Sequence, residues 1–260
     1  MDAITRFRER LEAGLHTRGL SIAVYETIPS TNDRCKQCGE EGAPEGTVIL
    51  ARAQTAGRGT RGRSFFSPEG TGVYMSVLLR PDGAATEALS LTTAAAVAVC
   101  RAVERVSRRK AEIKWVNDVY CDDRKVCGIL TEASLSPDNA RLTWAVLGVG
   151  INVESPKNGF PADLNGIAGA VFEDGNGDAA VLAAAVLDEF FAVYPHRADR
   201  TVTEEYRRRS LLRGRAITVT TAAGERTAVA LDIDEQCRLR VRFDDGEEAT
   251  LSSGDVRIRL

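Results

Sequence analysis

Apolar residues recur at helical or strand spacing along most of the chain, and polar or glycine-rich segments separate these stretches. The helical spacing predicts helices over Ile4–Leu15, Thr86–Val106 and Ala179–Tyr194, and a short basic helix over Thr203–Leu211. The apolar runs predict strands over Ser21–Ile28, Thr47–Ala53, Val73–Leu79, Ile113–Val119, Lys125–Ser134 and Leu142–Val153. The pattern therefore indicates a sheet with helices packed against it.

The pattern changes after Arg213 to short alternating segments separated by polar turns. The predicted strands there are Ala216–Thr220, Arg226–Ile233, Arg238–Phe243, Glu247–Leu251 and Val256–Leu260. Short strands at this spacing predict a small β-barrel, so we expect two domains, residues 1–211 and 212–260. Barrels of this kind can bind nucleic acid, but Phe243 is the single aromatic residue from 211 to 260. Packing against the first domain is the favoured role.

Composition narrows the class of protein. The chain has 260 residues, of which 43% are hydrophobic and 27% charged, enough for a substantial core. Its net charge of −3 argues against a protein whose main partner is nucleic acid. The six cysteines are scattered, and Cys35-x-x-Cys38 has no second pair, which argues against a zinc site. With no signal peptide or long apolar span evident, free cytoplasmic thiols and no membrane partner are expected.

Gln54–Gly72 is a glycine- and arginine-rich segment between two predicted buried strands. Its five glycines alternate with Arg58, Arg61 and Arg63, and its first acidic residue is Glu69. Glycine lets a backbone approach a ligand closely, and arginine donates to carboxylates and phosphates. The segment is therefore predicted to be a mobile cationic loop that closes over an anion; a solvated surface loop is the alternative.

Within this loop, Gly57–Gly62 matches the dinucleotide pattern G-x-G-x-x-G. That motif requires a helix to begin at its glycines. Pro68, Gly70 and Gly72 follow closely and are incompatible with a regular helix. A Rossmann site is excluded, and no G-x-x-x-x-G-K-S/T motif for a phosphate-binding loop occurs either.

Two further segments carry candidate chemistry. Pro29–Asp33 is typical of a helix N-cap, and its hydroxyl and amide groups could also bind a small polar ring. Lys114 lies between Ile113 and Trp115 in an apolar stretch, where a charge is costly to bury without an anionic partner. It either extends to water, pairs with Asp118, or meets a ligand carboxylate or phosphate.

Gly128, Gly148 and Gly150 interrupt predicted strands, which often marks a close approach of a ligand or a backbone. Asn152 ends the last strand of the first domain. It is expected either to satisfy local backbone groups or to contact a base edge.

Five motifs occur in a fixed order before the C-terminal strands. They are Ser30-Thr31-Asn32, Gln54 with the loop GRGTRGR, KWVND at 114–118, CGILTE at 127–132 and GVGIN at 148–152. Each motif alone is weak, but the ordered set, from Thr27 to Leu260, resembles the biotin protein ligases of the short class without an N-terminal DNA-binding domain. The resemblance implies an α+β fold with a mixed or antiparallel central sheet flanked by helices, as in class II aminoacyl-tRNA synthetases. It also implies a small C-terminal SH3-like β-barrel.

The same resemblance implies a two-step ligase reaction. Biotin's carboxylate attacks the α-phosphate of ATP, giving biotinyl-5'-AMP and pyrophosphate, and a lysine of a biotin carboxyl carrier domain then attacks the mixed anhydride. The expected small molecules are biotin, ATP and Mg²⁺, whose protein ligands the sequence does not identify. The expected partner is the carrier domain of a carboxylase, with no nucleic acid; a homodimer is an open alternative.

Site residues follow from the matched motifs. Those assigned to biotin are Ser30, Thr31, Asn32 and Gln54 at the ring, Arg58, Gly59 and Thr60 in the loop, and Lys114, Gly128 and Gly148. Those assigned to ATP are Arg61, Arg63, Phe65, Asn117, Asn152 and Arg259. Lys114 and Arg58 are the catalytic assignments, with Lys114 bridging the biotin carboxylate and the α-phosphate.

Three positions depart from the family pattern. Val116 stands where proline is usual, and Phe65 stands where tryptophan is frequent. Thr60 stands where the loop commonly has a basic residue that retains the adenylate. A lipoate or octanoate ligase or transferase of the same fold, a non-catalytic biotin-binding protein and a nucleic-acid-binding protein are the competing interpretations.

Overall fold

A computed structural model of the chain describes residues 2–84, 88–138, 140–221, 224–252 and 254–258. The helices are α1 (Ala3–Gly14), α2 (Thr31–Glu40), α3 (Ala88–Ser107), α4 (Ala179–Val193) and α5 (Arg200–Arg208). The first seven strands are β1 (Ser21–Ile28), β2 (Thr47–Gln54), β3 (Gly72–Leu79), β4 (Glu112–Lys114), β5 (Asp118–Cys121), β6 (Arg124–Leu135) and β7 (Leu142–Asn152). The last five are β8 (Ala216–Thr221), β9 (Gly224–Ile233), β10 (Leu239–Phe243), β11 (Glu248–Leu251) and β12 (Asp255–Ile258).

The first seven strands form one sheet in the order β1-β2-β3-β7-β6-β5-β4. β1 and β2 are parallel, and every other neighbouring pair in this sheet is antiparallel. The predicted mixed central sheet is thus confirmed. Its register places Gly150 of β7 between Tyr74 of β3 and Gly128 of β6. Two neighbouring glycines consequently leave the middle of the sheet without side chains.

Helices cover both faces of this sheet. α3 and α4 bury their alanine-rich sides in the main core, and α1 packs against α4. α2 lies on the other face against β2, β3 and β7, where Cys35 and Cys38 join Ile49, Leu78 and Val146 in a smaller apolar cluster. Because β3 is covered on both sides, all eight of its residues are buried.

α2 begins where the sequence predicts a helix cap. Ser30 is the N-cap residue, and its side-chain oxygen accepts a hydrogen bond of 3.3 Å from the Asp33 amide. At the other end of the helix, the Arg80 guanidinium donates to the backbone carbonyls of Gly39 and Ala43. Both ends are therefore fixed, which holds the N-terminus of α2 over the sheet.

The stretch Ala179–His196 is long and apolar enough to cross a membrane, judged by its length and composition alone. More than half of it is buried inside the folded chain, where it packs against α1 and α3. Its apolar character is accounted for by its place as a core helix.

The single strand predicted over Ile113–Val119 is wrong. β4 and β5 are instead the two arms of a tight hairpin, in which the backbone of Lys114 lies opposite that of Asp118. The turn is favoured by partners outside the strand, since the Trp115 indole nitrogen donates to the Cys237 carbonyl at 2.8 Å. The sequence pattern alone does not distinguish an apolar strand from an apolar hairpin turn here, because the Cys237 carbonyl that Trp115 contacts lies 122 residues away.

The last five strands form an antiparallel sheet in the order β11-β10-β9-β8-β12, which corresponds to the predicted small barrel domain. It packs on the first part of the chain, as predicted, through the Trp115–Cys237 hydrogen bond and an Arg215–Asp123 ion pair of 3.2 Å. The six cysteines are all buried free thiols.

Candidate functional site

A cavity of about 500 Å³ lies between the central sheet, the N-terminus of α2, the arginine-rich loop and the C-terminal sheet. This volume is in the range of small-molecule sites, which is roughly 300–1,000 Å³. The predicted site residues that line it are Ser30, Thr31, Asn32, Gln54, Arg58, Gly59, Thr60, Arg61, Arg63, Phe65, Lys114, Asn117, Gly128 and Gly148. Segments distant in sequence therefore meet at one cavity.

The start of α2 forms a buried polar end of the cavity. The Gln54 side-chain oxygen accepts hydrogen bonds from the Thr31 amide at 2.8 Å and from the Thr31 hydroxyl at 3.1 Å. The Gln54 amide nitrogen donates to Ser67 at 2.9 Å, and Ser76 donates to the Asn32 side-chain oxygen at 2.6 Å. These bonds fix the donors and acceptors in place, as recognition of a polar ring requires. Ser67 and Ser76 were not predicted as site residues, because neither belongs to one of the five motifs.

Gly148 has a more specific function than the sequence suggested. A Cβ atom there would lie 2.0 Å from the Asn32 side-chain oxygen, so any other residue would displace the Asn32 amide. The close approach predicted at Gly148 is made by Asn32 itself. The glycine therefore shapes the polar end of the cavity through a neighbouring side chain.

Four charged residues form an ion network beneath this polar end. Arg58 pairs with Asp33 at 2.5 Å and with Glu132 at 3.0 Å, and Lys36 pairs with the same two carboxylates at 3.1 and 3.2 Å. The Asn32 amide donates to Glu132 at 3.0 Å. Glu132 thus connects Asn32 at the polar end to Arg58 of the loop, a role that its place at the end of the CGILTE motif did not predict.

The pKa of Glu132 reflects these contacts. Burial acts to raise it, but the hydrogen bond from Asn32 and the pairing with Lys36 and Arg58 outweigh burial and hold the pKa below its ordinary value. A lowered carboxyl pKa contributes stability above the unfolded-state pKa, and that contribution is lost as the pH falls through the folded-state value. The network is therefore intact at neutral pH.

The resemblance to biotin protein ligases makes biotin the ligand to test here, and replacing Glu132 by glutamine is expected to weaken its binding about tenfold. The change removes the charge that holds Arg58 and Lys36, and hydrogen bonds to charged groups contribute roughly 1.5–3 kcal/mol. Calorimetric titration with biotin measures the effect. Glu26→Gln is the matched control, because Glu26 pairs with Arg52 instead and does not line the cavity. Equal affinities for the Glu132→Gln variant and the unmutated protein would contradict the expectation.

The arginine-rich loop folds into a short hairpin over the cavity. Gly59 donates to the Arg63 carbonyl at 2.7 Å, Phe65 donates to the Gly57 carbonyl at 2.8 Å, and residues 60–62 form a 3₁₀ turn at the tip. Arg61 takes a left-handed conformation with φ 59° in this tip. The folded tip points Thr60 and Arg61 toward the cavity that they line.

The Phe65 ring rests on the glycine floor of the sheet. A Cβ atom at Gly150 would lie 2.7 Å from this ring, and one at Gly128 would lie 3.3 Å from it. The ring also packs edge-on against Tyr74, with centroids 6.4 Å apart. Gly128, expected to admit a ligand, thus admits the Phe65 ring, which offers an aromatic surface beside the cavity.

Two lysines line the cavity from the β4–β6 region. The Lys114 amine lies 5.9 Å from the centre of the Tyr120 ring, and the Lys125 amine pairs with Asp118 at 2.6 Å. Asp118, one of the predicted alternatives as a partner of Lys114, forms an ion pair with Lys125. The sequence missed Lys125, although it too is a lysine that enters an apolar strand. Arg215 and Arg257 extend this cationic lining from the C-terminal side.

The remaining assignments have different outcomes. The Asn117 side chain donates to the Ile129 carbonyl at 2.8 Å and lines the cavity. Asn152 donates to the Gly169 carbonyl at 3.0 Å and is not among the cavity-lining residues, so its expected contact with adenine stays a prediction. Arg259 lies outside the described residues.

Within the described ranges, no group of three or more His, Cys, Asp or Glu side chains is arranged to hold a metal ion. Mg²⁺ in nucleotide sites is commonly bound by one or two carboxylates together with substrate phosphates. Asp118 and Asp123 are carboxylates of the cavity lining. These two carboxylates would be the protein groups nearest to such an ion, and each now pairs with a cation, Lys125 and Arg215 respectively.

Comparison with known proteins gives two family matches. Residues 24–152 match the Biotin/lipoate A/B protein ligase family, and residues 213–259 match the Biotin protein ligase C terminal domain. The two matches lie on the central sheet with its cavity and on the C-terminal sheet, respectively.

Among individual proteins, the chain is 30% identical over 253 residues to the Biotin--[acetyl-CoA-carboxylase] ligase of Mycobacterium tuberculosis, covering 94% of this chain and 90% of that protein. It is 40% identical over 157 residues to the Bifunctional ligase/repressor BirA of Bacillus subtilis, covering 60% of this chain. That match spans about half of the relative's own length, 48%.

The fold resembles the solved biotin protein ligase from Aquifex aeolicus in complex with biotin and ATP. The TM-score is 0.75 at 24% identity, with 92% of this chain and 98% of that chain covered. At this identity the likeness establishes the common fold.

Proposed function

Because the chain belongs to the biotin protein ligase family, we propose that it joins biotin to a lysine of a biotin carboxyl carrier domain at the expense of ATP. The observation that carries this proposal is the cavity itself. It combines a buried polar end at Ser30–Asn32, a loop that supplies Arg58, and the amines of Lys114 and Lys125. A small ring acid and a nucleotide need these three features together.

In the first step, an oxygen of biotin's carboxylate forms a bond to the α-phosphorus of ATP, and the bond from that phosphorus to the bridging oxygen breaks, releasing pyrophosphate. Both reactants are anions, so the site must supply fixed positive charge where they meet. Lys114 and Arg58 are the residues that we assign to this task, with Lys125 as a third cation. Magnesium bound to the phosphates would neutralise part of their charge.

In the second step, the amine of the carrier lysine attacks the acyl carbon of biotinyl-5'-AMP. An amide bond forms, AMP leaves, and the amine loses a proton. This chemistry depends on positioning and charge stabilisation and requires no protein nucleophile. Because the mixed anhydride is sensitive to water, a covering loop is useful, and the hairpin at residues 58–64 is suited to that function.

The two ends of the cavity suggest which substrate occupies each. We assign the ring of biotin to the polar end formed by Ser30, Thr31, Asn32 and Gln54. We assign the nucleotide to the part lined by Phe65, Asn117, Arg61 and Arg63. The aromatic face of Phe65 suits a base or sugar, and the arginines suit phosphates.

The proposal extends to the organisation of the chain. Residues 1–211 would form the catalytic domain and residues 212–260 the small barrel domain, a division supported by the C-terminal family match at residues 213–259. A cytoplasmic location is supported by the six free thiols, which a reducing compartment maintains. The net charge of −3 argues against nucleic acid as the main partner, and a homodimer is an open alternative.

A lipoate or octanoate ligase is the second candidate, because the family matched at residues 24–152 includes lipoate proteins. The C-terminal match to a domain of biotin protein ligases favours biotin. A non-catalytic biotin-binding protein is less well supported, because binding biotin alone would leave the nucleotide part of the cationic lining without a function.

We expect biotin to support exchange of labelled pyrophosphate into ATP in the presence of magnesium. Lipoate and octanoate at the same concentration should give no exchange above the level without acid. The measurement is incorporation of label into ATP over time. Exchange that depends on lipoate but not on biotin would replace the proposal by the second candidate, and binding of biotin without exchange would replace it by the non-catalytic one.

A further inference from the structure

The β4–β5 hairpin, which carries Lys114, is contacted by residues that come after the seven strands of the central sheet in the sequence. Ile113 donates to the Arg209 carbonyl at 2.8 Å, and its own carbonyl accepts from Leu211 at 2.8 Å. Residues 209–211 thus run beside β4 like an additional parallel strand. The strand that carries Lys114 is therefore paired on both sides.

The turn of this hairpin is held by a buried tyrosine. The Tyr206 hydroxyl donates to the Val116 carbonyl at 2.9 Å, two residues after Lys114. Tyr206 has no exposed surface and does not line the cavity. Burial raises the pKa of Tyr206 well above its ordinary value, so the hydroxyl keeps its proton and stays a donor.

The helix that carries Tyr206 is itself fixed. Just after α5, Arg209 makes a bidentate pair with Glu104 of α3, at 2.7 and 2.9 Å, and a further bond of 3.0 Å to Glu205. Bidentate arginine–carboxylate pairs restrict orientation as well as distance. Tyr206 therefore projects from a rigid support, and the position of the Val116 carbonyl follows from it.

We propose that Tyr206 is a positioning residue that acts through Lys114: its hydroxyl fixes the 115–117 turn and so sets where the Lys114 amine lies in the cavity. This inference rests on the proposed ligase function. It gives α5 a part in the adenylation step, although Tyr206 itself does not line the cavity. Displacement of a reacting group by about 1 Å can reduce a rate on the order of 100-fold, so a tether of this kind has a measurable consequence.

Replacing Tyr206 by phenylalanine removes the hydroxyl and keeps the ring. We expect kcat for biotin-dependent pyrophosphate release to fall about tenfold, since the turn loses one of its tethers. The KM for biotin should stay unchanged, because the polar end of the cavity is built by α2, β2 and β3. Tyr194→Phe is the matched control: its buried hydroxyl donates to Glu45 at 2.9 Å, and Tyr194 does not line the cavity. Thermal unfolding of both variants allows the rates to be compared per folded molecule.

A double-mutant cycle separates positioning from general stability. If Tyr206 acts through Lys114, Tyr206→Phe should lower the rate in the unmutated protein and have no further effect in the Lys114→Ala background. Equal fold-reductions in the two backgrounds would overturn the inference, as would a Tyr206→Phe rate equal to that of Tyr194→Phe. An unmutated protein without biotin-dependent pyrophosphate release would overturn the proposed function and this inference with it.

Discussion

Replacing Lys114 by alanine should lower biotin-dependent pyrophosphate release by about 100-fold or more, the loss typical of removing a preorganised group that stabilises transition-state charge. The amine lines the cavity and lies beside the Tyr120 ring. Two anions approach each other in the adenylation step, and in a site shielded from water a fixed cation contributes far more than it would in bulk solvent. The loss should fall mainly on the chemical step, since Lys114 lies on β4, whereas the polar end of the cavity is built by α2 and β2.

The comparison requires variants that separate this effect from a general loss of lysine charge. Lys110→Ala is the matched control, because the Lys110 side chain is 76% exposed and pairs with Glu112 outside the cavity. Lys125→Ala is the informative second variant, because Lys125 shares the cavity but is engaged by Asp118. Pyrophosphate release at the unmutated rate in a folded Lys114→Ala protein would remove Lys114 from the mechanism.

Replacing Thr60 by arginine should reduce the release of free biotinyl-5'-AMP about tenfold. Thr60 lies at the tip of the loop hairpin and lines the cavity, where the resemblance to biotin protein ligases leads us to expect a basic residue. A guanidinium there could donate to the phosphate of the adenylate, and charge-assisted bonds contribute roughly 1.5–3 kcal/mol. A factor of ten in the dissociation rate corresponds to about 1.4 kcal/mol.

Adenylate released in the absence of an acceptor, separated by chromatography, gives this number directly. Thr201→Arg is the control, because Thr201 is an exposed residue of α5 that does not line the cavity and receives the same added charge. Equally fast release of adenylate from the Thr60→Arg and unmutated proteins would contradict the prediction. Retention of the adenylate would then be assigned to Arg61 and Arg63.

Much of the fold could be predicted because the decisive information is local. β1 spans Ser21–Ile28 as predicted, and the α2 cap at Ser30 follows from the hydroxyl and amide residues of that segment. The motif residues that line the cavity could also be predicted from the sequence, because the motifs have recognisable residue types in a fixed order. Local spacing and capping preferences are enough for such elements.

What the sequence did not reveal depends on contacts between distant residues. The β4–β5 hairpin was predicted as one strand, because its turn is held by Tyr206 and Cys237, about 90 and 122 residues along the chain. Glu132 ends the CGILTE motif, but its role was not predicted, because its partners Asn32 and Arg58 are 100 and 74 residues away. Gly148 was expected to admit a ligand, and its close neighbour Asn32 is known only from the packing of α2 on β7.

The central claim is that one cavity brings biotin and ATP together for transfer to a protein lysine. The most direct test is mass spectrometry of a biotin carboxyl carrier domain incubated with the protein, biotin, ATP and magnesium. We predict a mass increase of one biotinyl group on a single lysine, dependent on ATP and formed at least about 100-fold more slowly with the Lys114→Ala variant. A carrier domain of unchanged mass, under conditions in which the protein is folded and binds biotin, would contradict the account.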